Sequence, residues 1–114
     1  VVAITDSIMA AGLPDGNYKL GVNDVVVVDG DAKLATDGTR AGSTLTTGKA
    51  LKNLLEFTGR SLTDIIPMLT ENPARLIGVY DRVGSIEPGK DADLVFLDEE
   101  CNVVRTLVKG KECY

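Results

Sequence analysis

The sequence contains no histidine and no tryptophan, has only two cysteines, and only 4% of its residues are aromatic. Without imidazole the chain by itself builds neither a His-ligated zinc centre nor a Ser-His or Cys-His nucleophilic pair. Cys101 and Cys113 form no CxxC unit; they are read as free thiols in a reducing cytosol, with a disulfide between neighbouring strands as the alternative. Positive charge is also in short supply. Twelve Lys and Arg face 17 Asp and Glu, a formal net charge of -5, and the only close basic group is Lys109 with Lys111. Nucleic acid, which needs concentrated Lys and Arg, is not expected as a partner on that ground. Unbroken apolar runs such as Val25–Val28 are strand-sized and far below the roughly 20 residues that span a bilayer, so no membrane partner is expected. No basic n-region of a signal peptide opens the chain. An apolar stretch at the very first residue reads as a chain that continues upstream.

What is present is ordinary for a folded domain: 44% hydrophobic and 25% charged residues. Val1–Thr5 is continuously apolar, which suits a strand covered on both faces, as in parallel sheets. After the turn-rich loop Gly12–Gly16, short strands are expected at Tyr18–Leu20, Asp24–Val28 and Ala32–Ala35. Asn23-Asp24 and Asp29-Gly30-Asp31 supply the turns between them. Leu45, Ala50, Leu51, Leu54, Leu55 and Thr58 then recur at helical spacing, and Gly59 closes that helix. A second helix opens at Ser61 with Asp64 completing a capping box, and Pro67 inside it predicts a kink or a short first turn. Asn72-Pro73 offers an N-cap and first position for a third helix that stops at Gly78. Strands return at Asp93–Leu97 and Val103–Val108, and Lys109-Gly110-Lys111 turns into a last short segment. Judged alone, the order is α+β.

Three places could carry chemistry. Asp6 directly follows the first apolar run, so its carboxylate would emerge at a strand's C-terminal end, where barrel enzymes carry their catalytic groups. The bland reading is a turn former or helix cap. Asp37-Gly38-Thr39-Arg40-Ala41-Gly42-Ser43 precedes a helix, and its backbone N–H groups could bind an anion or a sugar, or simply form a turn and N-cap. Ser43 has no histidine to activate it and is no nucleophile. Asp29, Asp31 and Asp37 are read as turn formers; the spacing of Asp29 and Asp31 lacks the further ligands and bidentate Glu of a calcium loop.

Several stretches together resemble the N-acetylglucosamine-6-phosphate deacetylases of the amidohydrolase type. Ala3-Ile4-Thr5-Asp6-Ser7 with Ala10–Tyr18 is similar to their last barrel strand and following loop. Asp37–Thr46 is similar to their substrate-contacting turn, although leucine usually stands where this chain has Arg40. Asn72–Gly78 is similar to a helix motif of the family, and Gly84–Val95 resembles a signature found across amidohydrolases. The resemblance implies an α/β fold: residues 1–83 as the last strand, inserted hairpin and helices of a (β/α)8 barrel, and 84–114 as part of its small β-sandwich domain. It implies Asp6 as the catalytic aspartate, taking a proton from a metal-activated water and returning it to the departing amine. Arg40, Ala41 and Gly42 would form the turn whose backbone lies against the substrate. No metal ligand is assigned in this chain. A divalent metal, zinc or similar, with its Glu and His ligands and the groups holding the phosphate, would sit on earlier barrel strands. The implied partners are a small sugar phosphate and a second copy in a homodimer, in the cytoplasm.

Two other classes compete: a non-catalytic α+β binding or assembly module, and an amidohydrolase of different substrate such as a deaminase or cyclic amidase. Faces left bare by a missing barrel invite self-association. The 114-residue chain alone is therefore expected to release no acetate from N-acetylglucosamine 6-phosphate even with added divalent metal, and to self-associate or be poorly stable. An acetate assay checks the first, a sizing column with a thermal melt the second; measurable turnover by the purified chain refutes the first expectation, and a sharp monomeric peak with a cooperative melt the second.

Overall fold

In the computed structural model, which describes residues 1–114, Asp29-Gly30 closes a hairpin as its chemistry favours. Both residues have positive φ, 50° and 74°, which a type I′ turn demands. The turn joins β2 (Asn23–Val28) to β3 (Asp31–Leu34), and β1 (Gly16–Leu20) pairs with the other edge of β2. Both pairings are antiparallel, with Val27 opposite Gly16 on one side and Ala32 on the other. Val25 and Val27 alternate onto one face, where they are buried with Ala32, Ala10 and Ala41. Tyr18 and Leu34, the partners of Val25 on either side, pack against the same cluster. Asp15 locks the hairpin from outside: its carboxylate accepts the backbone N–H groups of Asp29 (2.5 Å) and Gly30 (3.1 Å). This sheet belongs to a unit spanning Ile4–Ala50.

Two expectations fail in this half. The turn between β1 and β2 is made by Gly21, at φ 60°, and Val22, whereas Asn23-Asp24 opens β2. Glycine in the left-handed region takes the corner more cheaply than either polar residue. Val1–Thr5 forms no ladder strand, and Val1 and Ile4 are 90% and 80% exposed. A continuous apolar run states that both faces want cover, not that a neighbour is at hand, and the structure holds no parallel strand beside it. Its sole parallel pairing is a single bridge between Ser7 and Ser43.

The second unit comprises Val1–Ala3 with Leu51–Tyr114. Helix α1 (Thr47–Thr58) begins within the first unit's last residues and continues into the second. Thr46 caps it, with its hydroxyl accepting the Lys49 N–H at 3.3 Å. Leu45 therefore lies outside the helix to which its spacing assigned it. Gly59, at φ 64°, donates to the Leu55 carbonyl and ends the helix. Helix α2 (Leu62–Leu69) has the expected capping box between Ser61 and Asp64, and hydrogen bonds from Ser61 hold the Asp64 carboxyl below the usual carboxylate range. Pro67 stands near the end of α2, which extends only two residues past it. Helix α3 (Glu71–Leu76) starts one residue before its expected cap. Asn72 is inside it and spends its amide on the Val1 carbonyl at 2.6 Å. Pro73 falls within the first turn, where a missing N–H loses no helical bond. The Ala3 N–H is held by the Met68 carbonyl at 2.9 Å.

A second antiparallel sheet closes the chain, with β4 (Leu94–Leu97), β5 (Val103–Val108) and β6 (Lys111–Glu112) in that order. The β4–β5 turn is organised by Asp98, whose carboxylate accepts from the backbone N–H groups of Glu100 and Asn102 and from the Asn102 amide. Cys101 and Cys113 are free. No helix is long and apolar enough to cross a membrane.

The Gly84–Val95 stretch, which carried the broadest part of the resemblance, is built around Lys90. Its side chain is only 8% exposed. The ammonium donates to the Tyr80 carbonyl and the Ser85 hydroxyl, and lies 3.6 Å from the centroid of the Tyr80 ring, which the Arg75 guanidinium also covers at 3.6 Å. A shape-preserving Lys90→Met change keeps the stem packing and removes the charged hydrogen bonds. Because such bonds contribute about 1.5–3 kcal/mol, Lys90→Met should lower unfolding stability by about that amount in a urea titration. A midpoint unchanged from wild type would mean the ammonium contributes nothing net.

Candidate functional site

Asp6 is exposed and sits at φ 51°, in the left-handed region. Aspartate visits that region more readily than most residues, at a cost of roughly 1–2 kcal/mol relative to right-handed backbone. Something must hold it there, and the holder is the segment 43–45. The Ser43 N–H donates to the Asp6 carbonyl at 2.9 Å and the Ile8 N–H donates to the Ser43 carbonyl at 2.9 Å. Two hydroxyls reinforce the pairing: Ser43 donates to the Thr5 carbonyl and Ser7 to the Leu45 carbonyl. The Ser43 Oγ also accepts the Leu45 N–H at 3.1 Å.

Gly42 is the point of closest approach. A Cβ there would stand 2.8 Å from Ile8 Cγ2, 2.9 Å from the Asp6 carbonyl oxygen and 3.7 Å from Asp6 Oδ2. Gly42 also has φ 67°, so space and conformation both call for glycine. Residues 36 apart in sequence are thus in contact, and two of the four expected site residues, Asp6 and Gly42, come together.

The other two face elsewhere. Ala41 is 6% exposed, part of the core cluster beneath β2, and its N–H bonds the Ala32 carbonyl at 2.9 Å. Arg40 extends along the hairpin: its Nη2 lies 3.1 Å from Asp31 Oδ1, while Lys33 holds the other oxygen at 3.0 Å. The hydrogen bond from Lys33, with the charge of Arg40 beside it, holds the Asp31 carboxyl below the usual range. An open depression of about 520 Å³ lies alongside. Asp31, Arg40, Gly42, Ser43, Thr46 and Lys49 are among its lining residues; Asp6 is not, although Gly42 and Ser43 touch both it and the depression.

The remaining acidic residues have structural work. Asp37 accepts the Thr39 N–H at 2.9 Å in a local turn, which holds its carboxyl below the usual range, and Asp29 occupies the hairpin corner. No three His, Cys, Asp or Glu side chains converge in a way that could hold a metal ion. Sequence reasoning missed the hydroxyl bridges of Ser7 and Ser43 and the clasp of Asp15 on the hairpin. Their partners are 14 to 38 residues away, beyond any local pattern.

Comparison with known proteins follows the same residues. The sequence profile of the amidohydrolase family matches residues 12–113. The N-acetylglucosamine-6-phosphate deacetylase of Bacillus subtilis (strain 168) is 44% identical over 96% of this chain, which covers 28% of that protein. The N-acetylgalactosamine-6-phosphate deacetylase of Escherichia coli O157:H7 is 40% identical over 97% of the chain, covering 29% of its length. Among solved structures, the N-acetylglucosamine-6-phosphate deacetylase of Thermotoga maritima superimposes with a TM-score of 0.87 at 46% identity, over 98% of this chain and 30% of that one. The chain therefore spans less than a third of the length of these relatives.

The close approach at Gly42 yields a paired prediction. Gly42→Ala adds a clash with Ile8 and the Asp6 carbonyl to the left-handed penalty, whereas Gly38→Ala, at φ 74° with nothing within 4 Å, incurs the penalty alone. Unfolding free energies should fall by about 1–2 kcal/mol for Gly38→Ala and by a further 1–3 kcal/mol or so for Gly42→Ala. Equal losses would mean that the contact with Asp6 is not tight.

Proposed function

The chain belongs to the amidohydrolase family, and we propose from that premise that it is the Asp6-bearing part of a deacetylase that hydrolyses N-acetylglucosamine 6-phosphate to glucosamine 6-phosphate and acetate. The observation that carries this reading is Asp6, exposed and with its backbone held left-handed against Gly42, which itself lines an open depression. The deacetylase relatives that align with nearly the whole chain support it.

In this reading water adds to the acetamide carbonyl, Asp6 accepts the proton that the water gives up, and the same carboxyl delivers it to the sugar nitrogen as the C–N bond breaks. Acetate and the free amine leave. The Arg40–Gly42 turn lies against the sugar through its backbone, since the Ala41 methyl is in the core and the Arg40 guanidinium is engaged by Asp31. The family generally uses a divalent metal. The residues of this chain do not fit one, having no histidine and no converging ligand set; its ligands and the phosphate-holding groups belong to the rest of the deacetylase. Residues 1–83 go with its barrel, 84–114 with its small β-sandwich, and the whole acts as a cytoplasmic homodimer.

One observation favours a second substrate, the C4 epimer: a relative of almost equal identity is named for the galactosamine sugar. The two readings separate on kcat/KM for the two N-acetylhexosamine 6-phosphates, measured with the deacetylase that contains these residues. We expect the glucosamine sugar to be preferred; a preference for the galactosamine sugar reverses the assignment, and turnover of neither favours a non-catalytic module or a different amidohydrolase. In the same enzyme Asp6→Asn should lower kcat by about 10²–10⁴ with substrate binding and metal content unchanged. Turnover near wild type would reduce Asp6 to a turn residue.

A further inference from the structure

The polar bridges around Asp6 converge on a single residue. The backbone angles of any residue are set by the orientations of the two peptide planes that flank it. At Asp6 these are the planes carrying the Thr5 and Asp6 carbonyls. Ser43 holds both: its hydroxyl donates to the Thr5 carbonyl and its N–H to the Asp6 carbonyl at 2.9 Å. Its own carbonyl accepts the Ile8 N–H at 2.9 Å, and its Oγ is kept in place by the Leu45 N–H at 3.1 Å. The hydroxyl is half-buried, and its one donor is spent on Thr5 while its oxygen accepts from Leu45. It is thus occupied for architecture and not free for chemistry.

We propose that the Ser43 hydroxyl is a positioning group for Asp6: it fixes the left-handed backbone that aims the carboxylate at the substrate. This rests on the assignment of Asp6 as proton carrier. Alanine at position 43 would keep the two backbone bonds and release the Thr5–Asp6 peptide plane. Asp6 would then relax toward right-handed or extended backbone, which is preferred for every residue with a Cβ, and its carboxylate would swing with it. The Ser7 hydroxyl, which reaches the Leu45 carbonyl, bonds no atom of either plane; the Ser7 N–H, which belongs to the second plane, donates to the Thr5 hydroxyl at 3.3 Å.

The test is a kinetic cycle on the full deacetylase with N-acetylglucosamine 6-phosphate, comparing Ser43→Ala, Ser43→Thr, Asp6→Asn and the Asp6→Asn/Ser43→Ala double variant. Misaiming a catalytic group by about 1 Å costs up to about a hundredfold. The expected result is a kcat lowered about ten- to a hundredfold in Ser43→Ala with KM within about twofold. Ser43→Thr, which keeps a hydroxyl, should recover most of it. The double variant should be no slower than Asp6→Asn alone, because nothing remains to aim. Wild-type kcat in Ser43→Ala, or an equal loss on the Asp6→Asn background, overturns the proposal. If Ser43→Ala does not fold, Ser43→Cys takes its place: the thiol is a weaker donor, and kcat equal to wild type would overturn the idea in the same way. Failure of the parent reading looks different, since Asp6→Asn would then turn over normally whatever stands at position 43.

Discussion

Asp6 stays in left-handed backbone because the segments Thr5–Ile8 and Ser43–Leu45 are tied by two backbone hydrogen bonds and two hydroxyl bridges. The rest of the first unit is arranged to make that pairing available. The β1–β2–β3 sheet buries Ala41 against Val25, Val27 and Ala32, which fixes the start of the turn; the Thr46 cap on α1 fixes its end. Between those anchors the turn has little freedom, and Gly42 is pressed onto Asp6. The unit's stability and the geometry of its one exposed catalytic candidate are therefore the same set of contacts.

Local chemistry was readable wherever cause and effect lie within a few residues. The Asp29-Gly30 corner, the Ser61–Asp64 capping box, the Gly59 and Gly78 stops and the strand periods each follow from the preferences of adjacent residues. Errors arose where two local rules competed. Asn72-Pro73 has the form of an N-cap, but α3 had already begun at Glu71 and the Asn72 amide found a more distant acceptor in Val1. Leu45 fits the helical period, yet its carbonyl serves Ser7. Val1–Thr5 has the composition of a buried strand without the neighbour that makes one. At the site, the resemblance assigned Asp6 and the 40–42 turn as a group; the sequence had no means of placing Ala41 in the core or Arg40 on Asp31, since those partners are set by the hairpin's register.

The Gly84–Val95 signature acquires a physical meaning of its own. Lys90 satisfies a carbonyl, a hydroxyl and an aromatic face in one near-buried position, and Gly84 lies where a Cβ would come within 2.7 Å of the Ala74 Cβ. Both residues hold the segment after α3 together, Gly84 against Ala74 of that helix and Lys90 on Tyr80 and Ser85. A motif of that kind is portable among enzymes of different chemistry because it fastens structure and leaves the reaction to other residues.

Ala41, Gly42 and Ser43 are consecutive and point three ways: into the core, against Asp6 and toward the Thr5 carbonyl. Their register is consequently indivisible. Insertion or deletion of one residue between Ala41 and Ser43 would put a side chain where only glycine fits and draw either the hydroxyl from its carbonyl or the methyl from the core in a single event. A surface turn of this shape tolerates length changes as poorly as a buried strand does, and sequence drift here must proceed by substitution alone.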